Sequence, residues 1–415
     1  MNIAIIGSGI AGLTCAYLLN RQHQITVFES SDWVGGHTHT VDVEVAGQQY
    51  AIDTGFIVFN DWTYPNFIRL LDQLGVASQP AEMSFSVHDP ASGCEYNGNN
   101  LNSLFAQRRN LFSPRFIGML RDILRFNREA LFDLEQQRIA ADTTLGDYLR
   151  QRGYGQRFID HYIVPMGAAI WSMSLADMLT FPLQFFVRFF KNHGLLSVND
   201  RPQWRVITGG SRSYVAPLTA DFAERIRLNC PVQRVERDAE GVTIYSQKGA
   251  ERFDKVVFAC HSDQALALLA APSETEWKIL SALRYADNDV VLHTDTRLLP
   301  QRRLAWASWN YRLGGTSEQP AAVTYNMNIL QGIRSETTFC VSLNQTAAID
   351  PSKVLGRYRY AHPQFSLAGI AAQARWQELC GAQHSYYCGA YWANGFHEDG
   401  VVSALRVAKA FGERL

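Results

Sequence analysis

The chain has 415 residues, of which 47% are hydrophobic and 19% charged, and its formal net charge is −1. This composition is that of a globular protein large enough for two domains, and the balanced charge excludes a general attraction to nucleic acid. Seven cysteines without CxxC pairs or metal-ligand spacing indicate a reducing compartment and no metal site. We expect a cytoplasmic protein without a targeting segment or a membrane span.

The first thirty residues predict a strand, a glycine turn, a helix and a second strand. An apolar run over 3–6 enters the turn, a helical pattern follows to Leu19, and a second apolar run over 25–28 ends in an acidic residue. Gly7 permits the tight turn, Gly9 leaves room for a pyrophosphate, and Gly12 lets the helix pack closely on the strand. The cofactor-binding candidates here are Gly7, Gly9, Ile10, Ala11, Gly12, Glu29 and Ser30.

The positions of these residues predict dinucleotide binding. The amino end of the helix attracts phosphates, because its first amides have no intrahelical acceptor and its dipole is positive there. Glu29 can accept hydrogen bonds from ribose hydroxyls, and its charge would repel a 2′-phosphate, which excludes NADP at this position.

A second glycine pair selects the dinucleotide. The stretch Gly35-Gly36-His37-Thr38 follows the acidic residue and resembles the glycine doublet of the flavin-containing amine oxidase and carotenoid desaturase superfamily, which lies along the FAD pyrophosphate and ribityl chain. The segment DTGFIVFN (53–60) is similar to the one that runs from the pyrophosphate toward the isoalloxazine ring. The resemblance implies FAD, non-covalent because no cysteine motif for a covalent link is seen, with contacts from Gly35, Gly36, His37, Thr38, Asp53, Thr54, Gly55 and Phe56.

The middle of the chain leaves two interpretations open. The pattern from Leu104 to Phe132 is helical and rich in arginine, which fits either a solvated helix face or a surface for anionic lipid headgroups. Residues 143–162 predict two short helices. Phenylalanines at positions 181, 185, 186, 189 and 190 form a helical stripe that belongs either to the core or to an apolar tunnel or membrane face.

The last third of the chain predicts a return to the nucleotide domain. Strands over 285–345 would floor a substrate cavity, with Trp306, Trp309 and Tyr325 either facing the flavin or filling the sheet. The stretch SYYCGAYWANGFHEDGVVSA (385–404) resembles the superfamily ending, in which a helix points at the flavin pyrimidine; Gly400 and Val401 would supply its N–H groups. By resemblance, the cofactor contacts from these later segments are Val232, Ala259, Cys260, Gly389, His397, Glu398, Gly400, Val401 and Ser403.

We therefore predict an α/β fold in which a Rossmann-like FAD-binding domain of the GR2 type is interleaved with an α+β substrate domain. The FAD-binding domain would comprise residues 1–80, 200–270 and 385–415. The substrate domain would comprise residues 81–199 and 271–384.

Candidate catalytic groups are fewer and less certain than the cofactor contacts. Many amine oxidases hold a lysine near flavin N5, and the matching strand here, Val290–Asp295, has none. Removing hydride from carbon also requires a group that takes the second proton. The candidates are His37, Asn60, Tyr64 and His293. Zinc at His37 and His39 is not expected, because no third ligand has metal spacing.

The detailed motifs GGHTHT, DTGFIVFN and GFHEDGVVSAL resemble bacterial amine-oxidase-like flavoproteins associated with cyclopropane-fatty-acid-synthase-type methyltransferases. This resemblance implies an FAD-dependent oxidoreductase that desaturates, or isomerises a double bond of, a fatty acyl chain, and it includes methylated chains among the substrates. It also implies a fatty-acid methyltransferase partner and contact with the inner face of the membrane. Two alternatives stay open: a flavin amine oxidase that releases hydrogen peroxide, and a non-catalytic FAD-stabilised partner in a lipid-modifying complex.

Overall fold

The structure is a computed structural model that describes residues 1–314 and 318–415. Its strands in these ranges are, in chain order, β1 (Asn2–Ile6), β2 (Gln24–Phe28), β3 (Thr40–Val45), β4 (Gln48–Asp53), β5 (Val58–Asn60), β6 (Ser78–Pro80), β7 (Phe85–Asp89), β8 (Cys94–Asn97), β9 (Trp204–Ile207), β10 (Ile226–Arg227), β11 (Val232–Arg237), β12 (Val242–Ser246), β13 (Gly249–Phe253), β14 (Lys255–Phe258), β15 (Arg284–His293), β16 (Trp309–Arg312), β17 (Val323–Asn326), β18 (Cys340–Leu343), β19 (Val354–Gln364) and β20 (Ser385–Tyr387).

The α-helices of the same ranges are α1 (Ile10–Leu19), α2 (Pro65–Leu74), α3 (Leu101–Leu104), α4 (Pro114–Glu135), α5 (Leu145–Gln151), α6 (Gln156–Phe158), α7 (Val164–Trp171), α8 (Leu175–Leu179), α9 (Leu183–Asn192), α10 (Val215–Thr219), α11 (Ser262–Leu268), α12 (Glu274–Leu280), α13 (Met327–Leu330), α14 (Leu367–Gln373) and α15 (His397–Ala410). Short 3₁₀ helices connect several of them.

A five-stranded parallel sheet carries the first glycine turn. Its order is β10-β2-β1-β14-β20, so β1 lies in the middle, paired with β2 and β14. Both faces are covered, which explains why β1 is a continuous apolar run rather than an alternating one. All five strands come from the three segments that the sequence assigns to the FAD-binding domain, and β20 joins them from near the carboxyl terminus.

A second sheet of seven strands has the order β19-β15-β18-β17-β16-β7-β8. It is antiparallel except for the pairing of β16 with β7. The strands come from the two segments assigned to the substrate domain. Its longest pairing joins β15 and β19, from Arg284 opposite Gln364 to His293 opposite Val354. The sequence predicts a sheet from this part of the chain, and the structure shows one.

The helix expected from Leu104 to Phe132 is wrong at its beginning. The structure has a short 3₁₀ helix over Arg108–Phe112, and α4 begins only at Pro114. Proline is favoured in the first turn of a helix because it donates no amide hydrogen there, and the Ser113 side chain caps that turn by accepting from the Phe116 amide at 3.3 Å. The arginine-rich stretch is therefore two helices with a break between them.

The two helices expected over 143–162 are α5 and α6, but α6 does not end there. It continues through a five-residue π-helix, Ile159–Ile163, into α7. Thr144 caps α5 by accepting from the Asp147 amide at 3.1 Å. Among the described residues, no helix is both long and apolar enough to cross a membrane.

The phenylalanine stripe belongs to the core. Four of its five rings, at positions 181, 186, 189 and 190, are at most 4% exposed. Trp171 lies against two of them, with ring centroids 4.5 Å from Phe181 and 4.8 Å from Phe189. Of the two interpretations of this stripe, the core is the one that the structure supports, and Trp171 connects it to the site described next.

Candidate functional site

A cavity of about 730 Å³ is lined by residues of both sheets and of the helices around them. The first glycine turn, the glycine doublet and the 55–58 segment line one part. Residues from α7, β16, β17 and β19 line the other, and the start of α15 lies along the wall. The cavity thus joins chain segments that are hundreds of residues apart in sequence.

The glycine turn is as tight as the sequence predicts. Gly7 has a φ of +107°, in the region that favours glycine, and its amide donates to the Phe28 carbonyl at 2.8 Å. A Cβ on Gly12 would lie 2.0 Å from the Gly7 carbonyl oxygen, so α1 packs against the turn without space for any side chain. A Cβ on Gly9 would meet no heavy atom within 4 Å, which means that Gly9 has free space beside it.

Glu29 stands at the end of β2, beside the glycine turn. Its Oε2 accepts from the Ser8 amide at 2.9 Å and from the Ser8 hydroxyl at 2.6 Å, and its Oε1 accepts from the Ser31 amide at 2.8 Å. The carboxylate is thereby held at the cavity wall, with the neighbouring Ser30 also in the lining. This is the position from which an acidic side chain can reach a ribose.

The glycine doublet and the 55–58 segment are fitted to each other. Gly36 approaches the first turn so closely that a Cβ on it would lie 3.0 Å from the Cα of Gly9. A Cβ on Gly55 would lie 2.2 Å from the carbonyl oxygen of His37. Close backbone contact therefore explains both glycines, and it places the His37 ring in the cavity wall.

Four histidines line the cavity and none carries a charge near neutral pH. Burial, together with the neighbouring His261, lowers the pKa of His37 to about 4. Burial likewise lowers the pKa of His261 to about 4 and that of His362 to about 3, and it lowers the pKa of His397 well below its usual range. The His37 ring lies 5.5 Å from His362 and 6.2 Å from His261 between centroids.

His37 differs from the other three in its hydrogen bonding. Its imidazole bonds to the backbone of Ala361, while Nε2 is buried and has no partner among the described residues. A buried polar atom without a partner is costly, and such atoms in native structures commonly meet a ligand or water. His37 is thus a neutral imidazole in the cavity wall with one buried nitrogen that lacks a partner among the described residues.

The first turn of α15 also meets the cavity, through Phe396 and His397. His397 is stacked on Phe56 with a centroid distance of 3.4 Å, and its Nε2 lies 3.0 Å from the hydroxyl of Tyr214. The expectation that Gly400 and Val401 supply free amides is wrong. The Gly400 amide donates to the Phe396 carbonyl at 3.1 Å inside the helix, and Val401 is completely buried, so the amides without an intrahelical acceptor are those of residues 397–399.

Other predicted cofactor contacts lie behind the wall and hold it. Thr38 bonds to the Tyr214 hydroxyl and lies 3.1 Å from His397 Nε2, and Thr54 donates to the His39 carbonyl at 3.1 Å. The Ser403 hydroxyl accepts from the Gly389 amide at 2.8 Å. Their side chains are bonded to protein partners and hold neighbouring residues of the wall in place, and their contact with the cofactor stays a prediction.

Two acidic residues that the sequence also predicts as cofactor contacts are bonded to protein groups as well. Asp53 is fully buried and accepts from the Thr40 hydroxyl at 2.6 Å and from Gln331 Nε2 at 3.0 Å, which ties the 40–53 hairpin to α13. Glu398 accepts from the amides of Asn66 at 3.1 Å and Phe67 at 2.8 Å, so it caps the amino end of α2. Neither carboxylate lines the 730 Å³ cavity.

Of the four catalytic candidates, the structure brings two to the cavity, His37 and Tyr64. Asn60 is fully buried outside the lining, and its Oδ1 accepts from the amides of Trp62 and Thr63, both at 2.9 Å. His293 is held in the second sheet between the Ser342 hydroxyl at 2.8 Å and the Asp295 amide at 3.0 Å. Both ring nitrogens of His293 are engaged, which corrects its prediction as a catalytic group. Burial raises the pKa of Tyr64, so its phenol stays protonated.

The part of the cavity away from the glycine turn is apolar and aromatic. Of the three aromatic residues predicted there, Trp309 and Tyr325 line the cavity, whereas Trp306 bonds to the Pro300 carbonyl and does not. Trp309 Nε1 is buried and has no acceptor in the described ranges. Further lining residues that the sequence did not single out are Ile170, Trp171, Tyr285, Leu330, Tyr360 and His362.

Charge is almost absent from this cavity. Among the described residues that line it, the only carboxylate is Glu29 and the only lysine or arginine is Arg359. No group of three or more histidine, cysteine or acidic side chains within 1–314 and 318–415 is arranged to hold a metal ion. Among the described residues that line the part away from the glycine turn, Arg359 on β19 is thus the only fixed charge, and no carboxylate is there.

The residues present fit FAD. The free space beside Gly9, the amides at the start of α1 and the carboxylate of Glu29 suit a pyrophosphate and a ribose. Val232, Ala259 and Cys260 line the same end, and Gly389 and His397 line the wall toward the apolar end. The unpartnered Nε2 of His37 is a further polar group that a ligand can satisfy.

Comparison with known proteins agrees with this cavity. The sequence profile described as "Flavin containing amine oxidoreductase" matches residues 10–318. A Mycobacterium tuberculosis protein named as flavin-containing monoamine oxidase AofH is 26% identical over 272 residues, which is 62% of this chain and 56% of that protein. The chain thus spans about half the length of this relative.

Two solved structures share the whole fold at low sequence identity. A putrescine oxidase bound to putrescine has a TM-score of 0.70 and 15% identity, and the match covers 99% of both chains. A CLA-producing fatty acid isomerase from P. acnes has a TM-score of 0.67 and 14% identity, and the match covers 99% of this chain and 98% of that one. The fold is therefore shared by proteins with an amine and with a fatty acid in their names.

Proposed function

The chain belongs to the family of flavin containing amine oxidoreductases, and from this premise we propose that it is an FAD-dependent oxidoreductase of a long apolar substrate. The substrate that the cavity favours is a fatty acyl chain, which the enzyme desaturates or whose double bond it isomerises. The observation that carries this proposal is the aromatic substrate end of the cavity, between Trp309, Tyr325 and Leu330, whose described lining contains no carboxylate.

The chain's own residues would hold FAD at the other end. Glu29 would accept from a ribose, the amides of Ile10 and Ala11 would face the pyrophosphate, and Phe56 with His397 would bound the ring system. When bound, FAD supplies an acceptor for a hydride from carbon. The protein's task is then to bring an unreactive C–H bond close to it and to keep water away.

An apolar chain is what such a wall binds best. A saturated or unsaturated acyl segment gains free energy in proportion to the apolar area that it buries, and it needs no counter-charge. A protonated amine would lose its hydration, and the described lining offers it no carboxylate except Glu29 at the ribose end. The missing lysine on β15 points in the same direction.

Making a double bond also requires removal of a proton, and in this proposal His37 would accept it. Its Nε2 is unpartnered and its ring is neutral, so the lone pair is available throughout the physiological range. Isomerisation would use the same nitrogen to hold a proton between its removal and its return. Tyr64, which stays protonated, would act only as a donor.

The test uses purified protein loaded with FAD. We expect that anaerobic incubation with an unsaturated or methylated acyl phospholipid either bleaches the flavin and yields a chain with two hydrogens fewer, or yields a shifted double bond at unchanged mass. Mass spectrometry of the released chains distinguishes the two. Neither change, with any acyl chain tried, would contradict the acyl substrate while leaving the cofactor assignment intact.

Amine oxidation is the second candidate, because the relative from M. tuberculosis is named as a monoamine oxidase. It predicts bleaching by putrescine or by an aromatic amine, followed by peroxide release in air. Measuring peroxide with both amine classes and with acyl lipids in parallel separates the candidates. Association with a fatty-acid methyltransferase stays a prediction, and co-purification of the two proteins would test it.

A further inference from the structure

We propose that residues 101–115 form a surface that docks on an anionic lipid bilayer. We call this surface the arginine tip. Its exposed residues are Leu101, Asn102, Arg108, Arg109, Leu111, Phe112, Pro114 and Arg115. The proposal concerns where the protein works, and it stands whether the substrate is an acyl chain or an amine.

The apolar part of the arginine tip is unusually exposed for a folded segment. The side chain of Phe112 is 86% exposed, Leu101 is 75% exposed and Leu111 is 45% exposed. Single exposed apolar residues are normal on protein surfaces, but several in one short segment mark a contact surface. Leu111 and Phe112 lie together on the 3₁₀ helix that precedes α4, which would bring both to one membrane interface.

The charge around these residues has one sign. From residue 96 to residue 121 the sequence contains four arginines and no aspartate or glutamate. Arg108 bonds to the Phe105 carbonyl at 2.9 Å and Arg109 to the Gly93 carbonyl at 3.0 Å, both of which are neutral oxygens. In the described parts of the chain, no ion pair involves Arg108, Arg109 or Arg115. Three positive charges therefore remain available to lipid phosphates.

The arginine tip is held rigidly and cannot fold its apolar side chains inward. Asn100 and Ser103 cap α3 reciprocally, at 3.0 and 3.1 Å. Gln107 is buried and fixes the next turn, since its Nε2 donates to the Gly93 carbonyl at 2.6 Å. A pre-ordered surface loses little conformational entropy on docking, which favours binding.

The pattern of apolar side chains with adjacent arginines fits a bilayer interface. Apolar rings enter the boundary between headgroups and acyl chains, while arginine guanidinium groups remain at the phosphates above them. The stretch continues into α4 with exposed Arg121, Leu124 and Arg128, which lengthens the same basic and apolar face. The inference therefore commits to an anionic membrane as the occupant of this surface.

The experiment sediments FAD-loaded protein with vesicles of phosphatidylcholine alone and of phosphatidylcholine mixed with phosphatidylglycerol. We expect binding only to the anionic vesicles and its loss at high salt. Phe112→Ala should weaken binding about tenfold, and the pair Arg108→Gln with Arg109→Gln by about fivefold for each charge. Unfolding curves of each variant should match the parent, since these side chains are exposed.

An exposed tryptophan on α12, far from the arginine tip in sequence, provides a matched control. Trp277 is 58% exposed on α12, but Glu274 and Glu276 lie in the first turn of that helix. Trp277→Ala should leave vesicle binding unchanged. Equal binding to uncharged vesicles, an equal effect of Trp277→Ala, or no vesicle binding would each overturn the proposal. Capture of another protein by the arginine tip, without vesicle binding, would overturn the lipid occupant as well.

Discussion

The two ends of the cavity are built in different ways. The nucleotide end is made mainly of backbone. A Cβ on Gly36 or Gly55 would come too close to a neighbouring chain segment, whereas the space beside Gly9 is free for a ligand. The substrate end is made of side chains from strands and helices far apart in sequence, among them Trp171 on α7, Trp309 on β16 and Tyr325 on β17.

This difference indicates how each end can be changed. At a site built from backbone, one added methyl group has a large effect. It destabilises the fold where it meets another chain segment, and it blocks the ligand where it extends into the free space. A side-chain site can lose one group and keep its shape, so substitutions there should alter chemistry while the cofactor remains bound. The predictions below test this contrast.

The largest effect is expected at Gly12. The new Cβ of Gly12→Ala would lie 2.0 Å from the Gly7 carbonyl oxygen, so α1 must move, and we expect the free energy of unfolding to fall by about 3–5 kcal/mol. Urea unfolding measures this. The control is Gly118→Ala on α4, whose Cβ would meet nothing within 4 Å, and which should stabilise by about 0.5–1 kcal/mol. Equal stability of both variants would refute the packing account.

The His37 ring lies between the two ends, 5.2 Å from Tyr360 of β19, and His37→Gln should slow turnover about 100- to 1000-fold, because the variant lacks the neutral imidazole that would accept the proton. FAD content should stay close to that of the parent. Gly55 packs against the backbone carbonyl of His37 rather than its ring, so replacing the ring leaves this contact of the nucleotide end in place. Single-turnover kinetics and flavin absorbance provide the two readings. A variant that loses FAD but keeps its rate for each bound flavin would show that His37 belongs to the nucleotide end.

Gly9→Ala is the counterpart of Gly12→Ala on the other side of the same turn. Its Cβ has free space in the protein, and its φ of −67° suits any residue, so the stability of the cofactor-free protein should be unchanged. The methyl group would instead occupy the space for the pyrophosphate and weaken FAD binding about 100-fold. Fluorescence titration of free FAD tests this. Unchanged affinity would mean that the pyrophosphate lies elsewhere.

A smaller effect should appear in the pH dependence of stability. His37 and His261 have pKa values near 4 in the folded protein and 6.5 when unfolded, so the unfolded chain binds more protons between these values. Their contribution to stability is complete above pH 6.5 and is lost as the pH falls toward 4. From pH 6.5 to 5 the loss is about 2 kcal/mol for each histidine that stays neutral.

Urea unfolding at several pH values tests this, with His37→Gln as the comparison. The variant should show a pH slope that is smaller by about one proton. An identical slope would mean that His37 is already charged or exposed in the folded state. If the free energy of unfolding of the parent protein rose as the pH fell from 6.5 to 5, the burial of both His37 and His261 as neutral groups would be contradicted.

The same contrast explains how much of the site could be read from sequence. The glycine turn is a local motif in which each glycine has a backbone reason, and Gly7 and Gly12 meet those reasons in the structure. Asp53 and Thr54 belong to an equally local motif, but what their side chains face depends on partners such as Gln331, some 280 residues away. A residue can therefore be adjacent to a cofactor motif in sequence while its side chain points away from the cavity.

The substrate end offered a weaker signal that was missed. On β19, Tyr360 and His362 follow Tyr358 at the spacing of one strand face and both line the cavity, together with the intervening Ala361. His293 failed for a related reason, because one residue along a strand decides which face a side chain joins. The break at Ser113-Pro114, by contrast, is a cap signal that the sequence does contain.

The structure of the FAD-loaded protein with a long-chain fatty acid tests the central claim most directly, because that claim places a cofactor and an apolar substrate in one cavity. We predict the FAD ribose at Glu29, its pyrophosphate at Gly9, and the acyl chain against Trp309 and Leu330. A nicotinamide nucleotide in place of FAD, or an acyl chain that binds outside the lining formed by Trp309, Tyr325 and Leu330, would contradict it.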